Sequence, residues 1–139
     1  MGRYRVIAID SSAVIAIMRA ETMGPALAKK LTAEPIGERL LSAASYLEIG
    51  AVLAGRSDAP LEAIEDLDDF LSNSGIDLVP VDEEQARIAL RARIVYGRGF
   101  GAAAGLNFGD CFSYALAKAR SVPLLYIGSD FDKTDIKSA

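Results

Sequence analysis

Four short apolar runs, separated by helical stretches, restrict this chain to a small set of architectures. The runs are Arg5–Asp10 (RVIAID), Arg39–Ser42 (RLLS), Ile76–Val81 and Leu124–Ile127. RVIAID is β-branched with little alternation, which suits a strand buried on both faces in a parallel sheet. Helices are expected between the runs at Ala13–Arg19, Glu21–Thr32, Ala44–Ala54, Pro60–Ser74 and Glu83–Tyr96, with a last one launched around Asp110 and ending near Arg120. Pro25 and Pro60 sit in first turns and Gly75 just past a helix end, the usual asymmetry. The order β-α-α-β-α-α-β-α-α-β predicts a mostly parallel sheet with helices on both faces, an α/β fold. Right-handed crossovers then bring the strand C-termini to one edge, where open α/β sheets bind ligands.

The length, 139 residues, predicts one domain spanning 1–139. No apolar run reaches the ~18 residues of a membrane span. The N-terminus, MGRYRVIAID, carries no signal-peptide pattern, so a cytoplasmic protein without membrane association is expected. A single cysteine, Cys111, excludes an intramolecular disulfide and a multi-cysteine zinc site. The absence of histidine excludes His-based acid–base chemistry and leaves no partner to activate Cys111. Hydrolytic chemistry is therefore left to carboxylates, which favour hard ions such as Mg²⁺ or Mn²⁺.

The net charge of −4 argues against a polyanionic partner, but the charges are unevenly placed. Residues 1–86 hold 7 basic and 15 acidic side chains, and residues 87–139 hold 8 and 4. Ser57–Ala86 has ten acids and no base, which reads either as a solvated acidic helix or as the side turned away from a polyanion.

Three acids stand alone in apolar surroundings. Asp10 is the sole charge from Val6 to Met18, Glu48 from Leu40 to Gly55, and Asp110 from Gly99 to Ala117. An unpaired buried carboxylate is costly, so each must be hydrogen-bonded, paired or bound to metal. Asp10 also reads as a cap for the next helix, and Ser12 equally as a cap or as a donor to a ligand water or phosphate. Glu48 falls in the row Ala44, Leu47, Glu48, Ala51, Val52, expected to be the inner face of its helix. The inner face of the next helix is expected at Leu61, Ile64, Leu67 and Leu71. A fourth acid, Asp130, directly follows the last strand.

The topology lets Asp10, Glu48, Asp110 and Asp130 face one cleft. Four carboxylates so placed would repel and raise one another's pKa values, a penalty that a divalent cation removes. One or two such cations suit in-line displacement at a phosphodiester. The Gly97–Gly105 loop, GRGFGAAAG, is not a dinucleotide fingerprint, because it follows a helix rather than a strand; it is expected to be a mobile loop.

Four stretches carry a family resemblance: IDSSAVIAI at Ile9–Ile17, SAASYLEIGAVL at Ser42–Leu53, LNFGDCFSYALAKA at Leu106–Ala119 and LLYIGSDFDKTDI at Leu124–Ile136. In this order they resemble the PIN-domain ribonucleases, specifically VapC toxins of bacterial VapBC toxin–antitoxin pairs. The resemblance implies a three-layer α/β/α sandwich and Mg²⁺- or Mn²⁺-dependent cleavage of RNA, with transfer or ribosomal RNA as the usual target. It also implies a homodimer and inhibition by a cognate VapB-type antitoxin that covers the acidic cleft. Asp10, Glu48, Asp110 and Asp130 match the family's catalytic, metal-binding quartet, and Ser12 its small hydroxyl residue. Many relatives carry a histidine where this chain has Ala102–Ala104.

Two other phosphate chemistries use acids at strand ends. An aspartyl-phosphate phosphatase needs Asp-x-Asp after the first strand, where Asp10 is followed by Ser11 and Ser12. A receiver domain needs paired acids that RVIAID lacks. The alternative from another class is a catalytically inactive PIN-fold module that binds RNA or protein.

Overall fold

A computed structural model describes residues 4–139; residues 1–3, the start of the expected domain, lie outside the described residues. The strands are β1 (Arg5–Ile9), β2 (Ile36–Ser42), β3 (Ile76–Val79) and β4 (Leu124–Leu125). The helices are α1 (Ser11–Met18), α2 (Gly24–Leu31), α3 (Ala43–Gly55), α4 (Pro60–Asn73), α5 (Glu83–Tyr96) and α6 (Phe108–Arg120). The sheet order is β3-β2-β1-β4, and every pairing is parallel.

Side chains alternate across a strand, so successive residues serve opposite layers. Ile7, Ile9 and Leu41 pack with Val14, Leu27, Ile49 and Leu67 of α1–α4. Ala8, Leu40 and Leu124 pack with Ala89 and Ala92 of α5 and Leu116 of α6. The result is the expected α/β/α sandwich, with α1–α4 over one face and α5–α6 over the other. The chain moves outward from β1 to β3, then returns through α5 and α6 to the opposite side of β1. Strand order therefore reverses between β1 and β4, the switch point at which such sheets hold ligands.

The structure corrects several boundaries. β2 begins at Ile36 rather than Arg39, because Ile36 and Glu38 pair with Arg5 and Val6 across an irregular register. β4 stops at Leu125 rather than Ile127; the chain turns away and reaches a positive φ of 89° at Gly128. β3 ends at Val79 rather than Val81. The polar tail folds back on β4, where Leu124 N–H donates to Lys137 O (2.9 Å) and Ala139 N–H to Leu124 O (2.9 Å). That return covers a sheet edge otherwise open to pairing. The Gly97–Gly105 loop is tied at its base, with Arg98 N–H on Leu106 O and Leu106 N–H on Tyr96 O, both 2.8 Å.

Two expected inner faces are also corrected. α3 buries Ser45, Ile49, Gly50 and Leu53, while Leu47 is 72% exposed. Small residues let α3 lie close to its neighbours: a Cβ at Gly50 would touch Ile64 and Leu67 of α4. The row holding Glu48 is turned toward the open edge instead of the core. On α4, Leu67 and Leu71 are buried as expected, but Leu61 is 81% exposed, while Ala63 and Phe70 of the same helix pack against the core. Among the described residues no helix is long and apolar enough to cross a membrane.

Candidate active site

Asp10 leaves β1 at the switch point and caps α1. Its backbone N–H donates to Leu125 O (2.9 Å), which ties β1 to β4 at the strand ends. The side chain is 2% exposed. Oδ2 accepts from Ser12 N–H (3.0 Å) and Ser12 Oγ (2.6 Å), and Oδ1 accepts from Ser113 Oγ (2.5 Å). Both earlier readings of Asp10 hold at once: it is a cap, and it faces a cleft.

Ser12 lines the same cleft, where its hydroxyl donates to Asp10 and accepts from Ile127 N–H (3.2 Å). Glu48 extends from α3, and its Oε1 accepts from Ser11 Oγ (2.6 Å). The other side of that carboxylate lies against the first turn of α6, where a Cβ at Gly109 would collide with Oε2.

Asp110 is the third residue of α6 and half of a reciprocal cap. Asn107 Oδ1 accepts from Asp110 N–H (2.8 Å), and Asp110 Oδ2 accepts from Asn107 N–H (3.0 Å). Burial pushes the Asp110 carboxyl up to about 6; the Asn107 N–H pulls against it, and the charges of Asp10, Asp130 and Glu48 add to the rise. Asp130 follows β4 in the turn beyond Gly128 and is half-buried.

All four acids line one cleft of about 290 Å³, and no lysine or arginine shares its lining. Larger clefts of about 420 and 400 Å³ lie elsewhere and carry a single carboxylate each, Asp135 in one and Asp132 in the other. The acidic cleft is thus set apart by charge and not by size. Oxygen-only donors around uncompensated negative charge fit a hard divalent cation. Among the described residues no three acids are gathered as a preformed ion cage.

Asp132 and Asp135 belong to the tail. Asp132 accepts from Tyr126 OH (2.6 Å), while Asp135 accepts from Tyr114 OH (2.6 Å) and pairs with Lys118 (2.5 Å). Cys111 is buried, and burial pushes its thiol up, away from the reactive thiolate. Sequence reading missed Ser11, Ser45, Asn107, Gly109 and Ser113. A signal was present for two of them: Ser45 and Ser113 lie three residues from Glu48 and Asp110, in helical stretches otherwise poor in polar residues.

The PIN domain family matches residues 7–137. Ribonuclease VapC28 of Mycobacterium tuberculosis is 46% identical over 131 residues, covering 94% of this chain and 96% of that protein. Ribonuclease VapC42 of the same species is 41% identical over 131 residues, covering 94% and 97%. Among solved structures, VapC20 of Mycobacterium tuberculosis, a Sarcin-Ricin loop cleaving toxin, superposes with a TM-score of 0.74 at 15% identity, over 96% of this chain and 98% of that one. VapBC-1 from nontypeable Haemophilus influenzae gives 0.73 at 14% identity, over 96% of each chain. The structural likeness speaks for the fold, and the sequence identity extends over nearly the whole length: the chain belongs to the PIN-domain family, among the VapC ribonucleases.

Proposed function

We propose that this ribonuclease cleaves RNA at the acidic cleft, with Asp10, Glu48, Asp110 and Asp130 as catalytic residues that hold a divalent cation. Mg²⁺ is the proposed ion, and Mn²⁺ its substitute. One observation carries the reading: four carboxylates from four separate segments line one cleft with no basic side chain among them. Such a cation supplies an activated water and neutralises charge at the phosphodiester.

The protein's own groups prepare the cleft for that role. Ser12 and Ser113 fix both oxygens of Asp10, and Ser11 orients Glu48. The α6 N-terminus favours negative charge at Asp110 and at the Glu48 carboxylate lying against it. Ser12 positions Asp10 and links it to the segment that follows β4 through Ile127.

The biological role proposed is that of the toxin in a type II toxin–antitoxin pair, acting in the cytoplasm as a homodimer on transfer or ribosomal RNA. A VapB-type antitoxin is the proposed inhibitor. Family membership supports these assignments, and the acidic cleft gives a basic antitoxin segment a place to bind. Calorimetric titration with Mn²⁺ and a cleavage assay test the chemistry. The wild type should bind Mn²⁺ and cut RNA, and Asp110→Asn should lose both while staying folded. A wild type that neither binds Mn²⁺ nor cuts RNA would instead identify a non-catalytic binding module. Mapping RNA ends after brief expression in cells would name the target.

A further inference from the structure

Two buried serines outside the acidic quartet connect its parts. Ser45 of α3 and Ser113 of α6 are each 1% exposed, and their Oγ atoms lie 3.3 Å apart. Ser113 Oγ also lies 2.5 Å from Asp10 Oδ1. A serine hydroxyl has one proton. The short contact to a carboxylate, which can only accept, claims the proton of Ser113. Ser45 is therefore the donor in the serine pair, and the chain runs in one direction, from Ser45 to Ser113 to Asp10.

Packing alone does not account for these hydroxyls. Where α3 and α6 meet, a small residue is needed, and alanine would fill that need without burying a polar atom. A serine inside a helix can bond back to the carbonyl four residues earlier, which for Ser113 is that of Gly109. Among the described residues Ser113 bonds to Ser45 and Asp10 instead.

The acceptor sites of Asp10 show what the chain controls. An ionised carboxylate has about four acceptor sites. Ser12 N–H and Ser12 Oγ occupy those of Oδ2, and Ser113 occupies one of Oδ1. The remaining acceptor site is on Oδ1, the oxygen that Ser113 holds. Ser45 also sits one turn from Glu48 on the same helix, and Ser113 one turn from Asp110 on the same helix. One uncharged chain thus joins the three segments that carry Asp10, Glu48 and Asp110.

We propose that Ser113, supported by Ser45, is a positioning residue that orients Oδ1 of Asp10 for the divalent cation. The inference rests on the metal reading of the cleft. Its test is calorimetric Mn²⁺ titration of the full chain as wild type, Ser113→Ala, Ser45→Ala, the double variant and Ser113→Thr, with the metal-free melting midpoint of each.

Loss of a group that orients a metal ligand typically weakens metal binding ~10–100-fold. Ser113→Ala should weaken Mn²⁺ binding by at least about tenfold, Ser45→Ala by less, and Ser113→Thr should restore most of the affinity. Because Ser45 acts through Ser113, the double variant should bind no more weakly than Ser113→Ala alone. Wild-type affinity in Ser113→Ala overturns the proposal. So do losses that multiply in the double variant, since independent sites behave that way. Ser45→Ala, remote from the ligand, keeps the test open should Ser113→Ala not fold: unchanged affinity in that variant also overturns the relay. A wild type that binds no Mn²⁺ overturns the metal reading itself, a result distinct from equal binding by wild type and variant.

Discussion

Gly109 and Glu48 meet where α6 begins against α3, and the Glu48 carboxylate fills the space that a Cβ on residue 109 would need. The contact explains why a glycine stands in the first turn of a helix, where it weakens the helix by roughly 0.5–1 kcal/mol relative to alanine. Nothing in the backbone demands glycine there, since its φ is not in the left-handed region. Gly109→Ala should therefore hold or slightly raise the melting midpoint. The flexible end of Glu48 is what gives way, leaving its bond to Ser11, and RNA cleavage should fall by about tenfold or more, as for a misplaced catalytic group. Thermal melting beside a cleavage assay checks this. A variant with undiminished cleavage would show that the placement of Glu48 is not critical.

The Asp110 carboxyl predicts a pH dependence of definite sign. Its pKa is about 6 in the fold against an ordinary 3.8. Between those values the folded state holds the proton and the unfolded state does not. Stability of the metal-free protein from this group thus falls as pH rises from about 4 to 6, then stays level. Asp110→Asn removes that penalty, so it should raise the metal-free melting midpoint at pH 7 and leave it nearly unchanged at pH 4. Mn²⁺ binding by the wild type should weaken below pH 6, because the ion must displace a proton. Melts at the two pH values decide the matter, and a variant less stable than wild type at pH 7 contradicts it.

The tail latch carries the opposite sign. The Lys118 hydrogen bond, and then that of Tyr114, hold the Asp135 carboxyl below the usual range. Its contribution is present above the ordinary carboxylate pKa and disappears as pH falls through the lowered one. The groups are largely exposed, so solvent screens the pair. Asp135→Asn should lower the melting midpoint at pH 7 by only ~2 °C, and it should leave cleavage within about twofold, since the latch lies outside the acidic cleft. Amide exchange at Ala139 and Leu124 should quicken in the variant; unchanged exchange there would show that the latch does not hold the tail.

What could be read from the sequence, and what could not, follows from how each residue signals its surroundings. The parallel sheet was legible because RVIAID and its counterparts lack polar alternation. The four acids stood out because a lone charge in an apolar stretch needs a reason. The face of α3 was misread because hydropathy assigns Leu47 to the core and Ser45 to the surface, whereas close helix contact required the smaller residues inside. The first half of β2 contains Gly37 and Glu38, which read as a loop until Val6 is seen to pair with Glu38. Ser113 stood out only as a polar residue one turn from Asp110, and nothing in the sequence showed that it would meet Asp10, 103 positions earlier. The return of the tail to β4 rests on backbone hydrogen bonds, which polar composition does not announce.

Asp10 and Asp130 occupy the same cleft in unlike settings, and the difference should separate fold from function. Asp10 is nearly fully buried and accepts three hydrogen bonds, two from Ser12 and one from Ser113. An asparagine there keeps one acceptor oxygen and turns an N–H₂ group toward hydroxyl or amide donors, so a buried polar pairing is lost, at ~1–3 kcal/mol. Asp130 is half-buried in a turn after the last strand, where an amide can be hydrated. Asp10→Asn should lower the melting midpoint by several degrees and abolish Mn²⁺ binding. Asp130→Asn should melt within about a degree of wild type, because substitutions away from buried networks usually change stability little, and should weaken Mn²⁺ binding without eliminating it. Melting and calorimetry on the two variants test the distinction. Equal destabilisation would mean that Asp130 is held by the fold as firmly as Asp10, and wild-type Mn²⁺ affinity in Asp130→Asn would remove it from the ligand set.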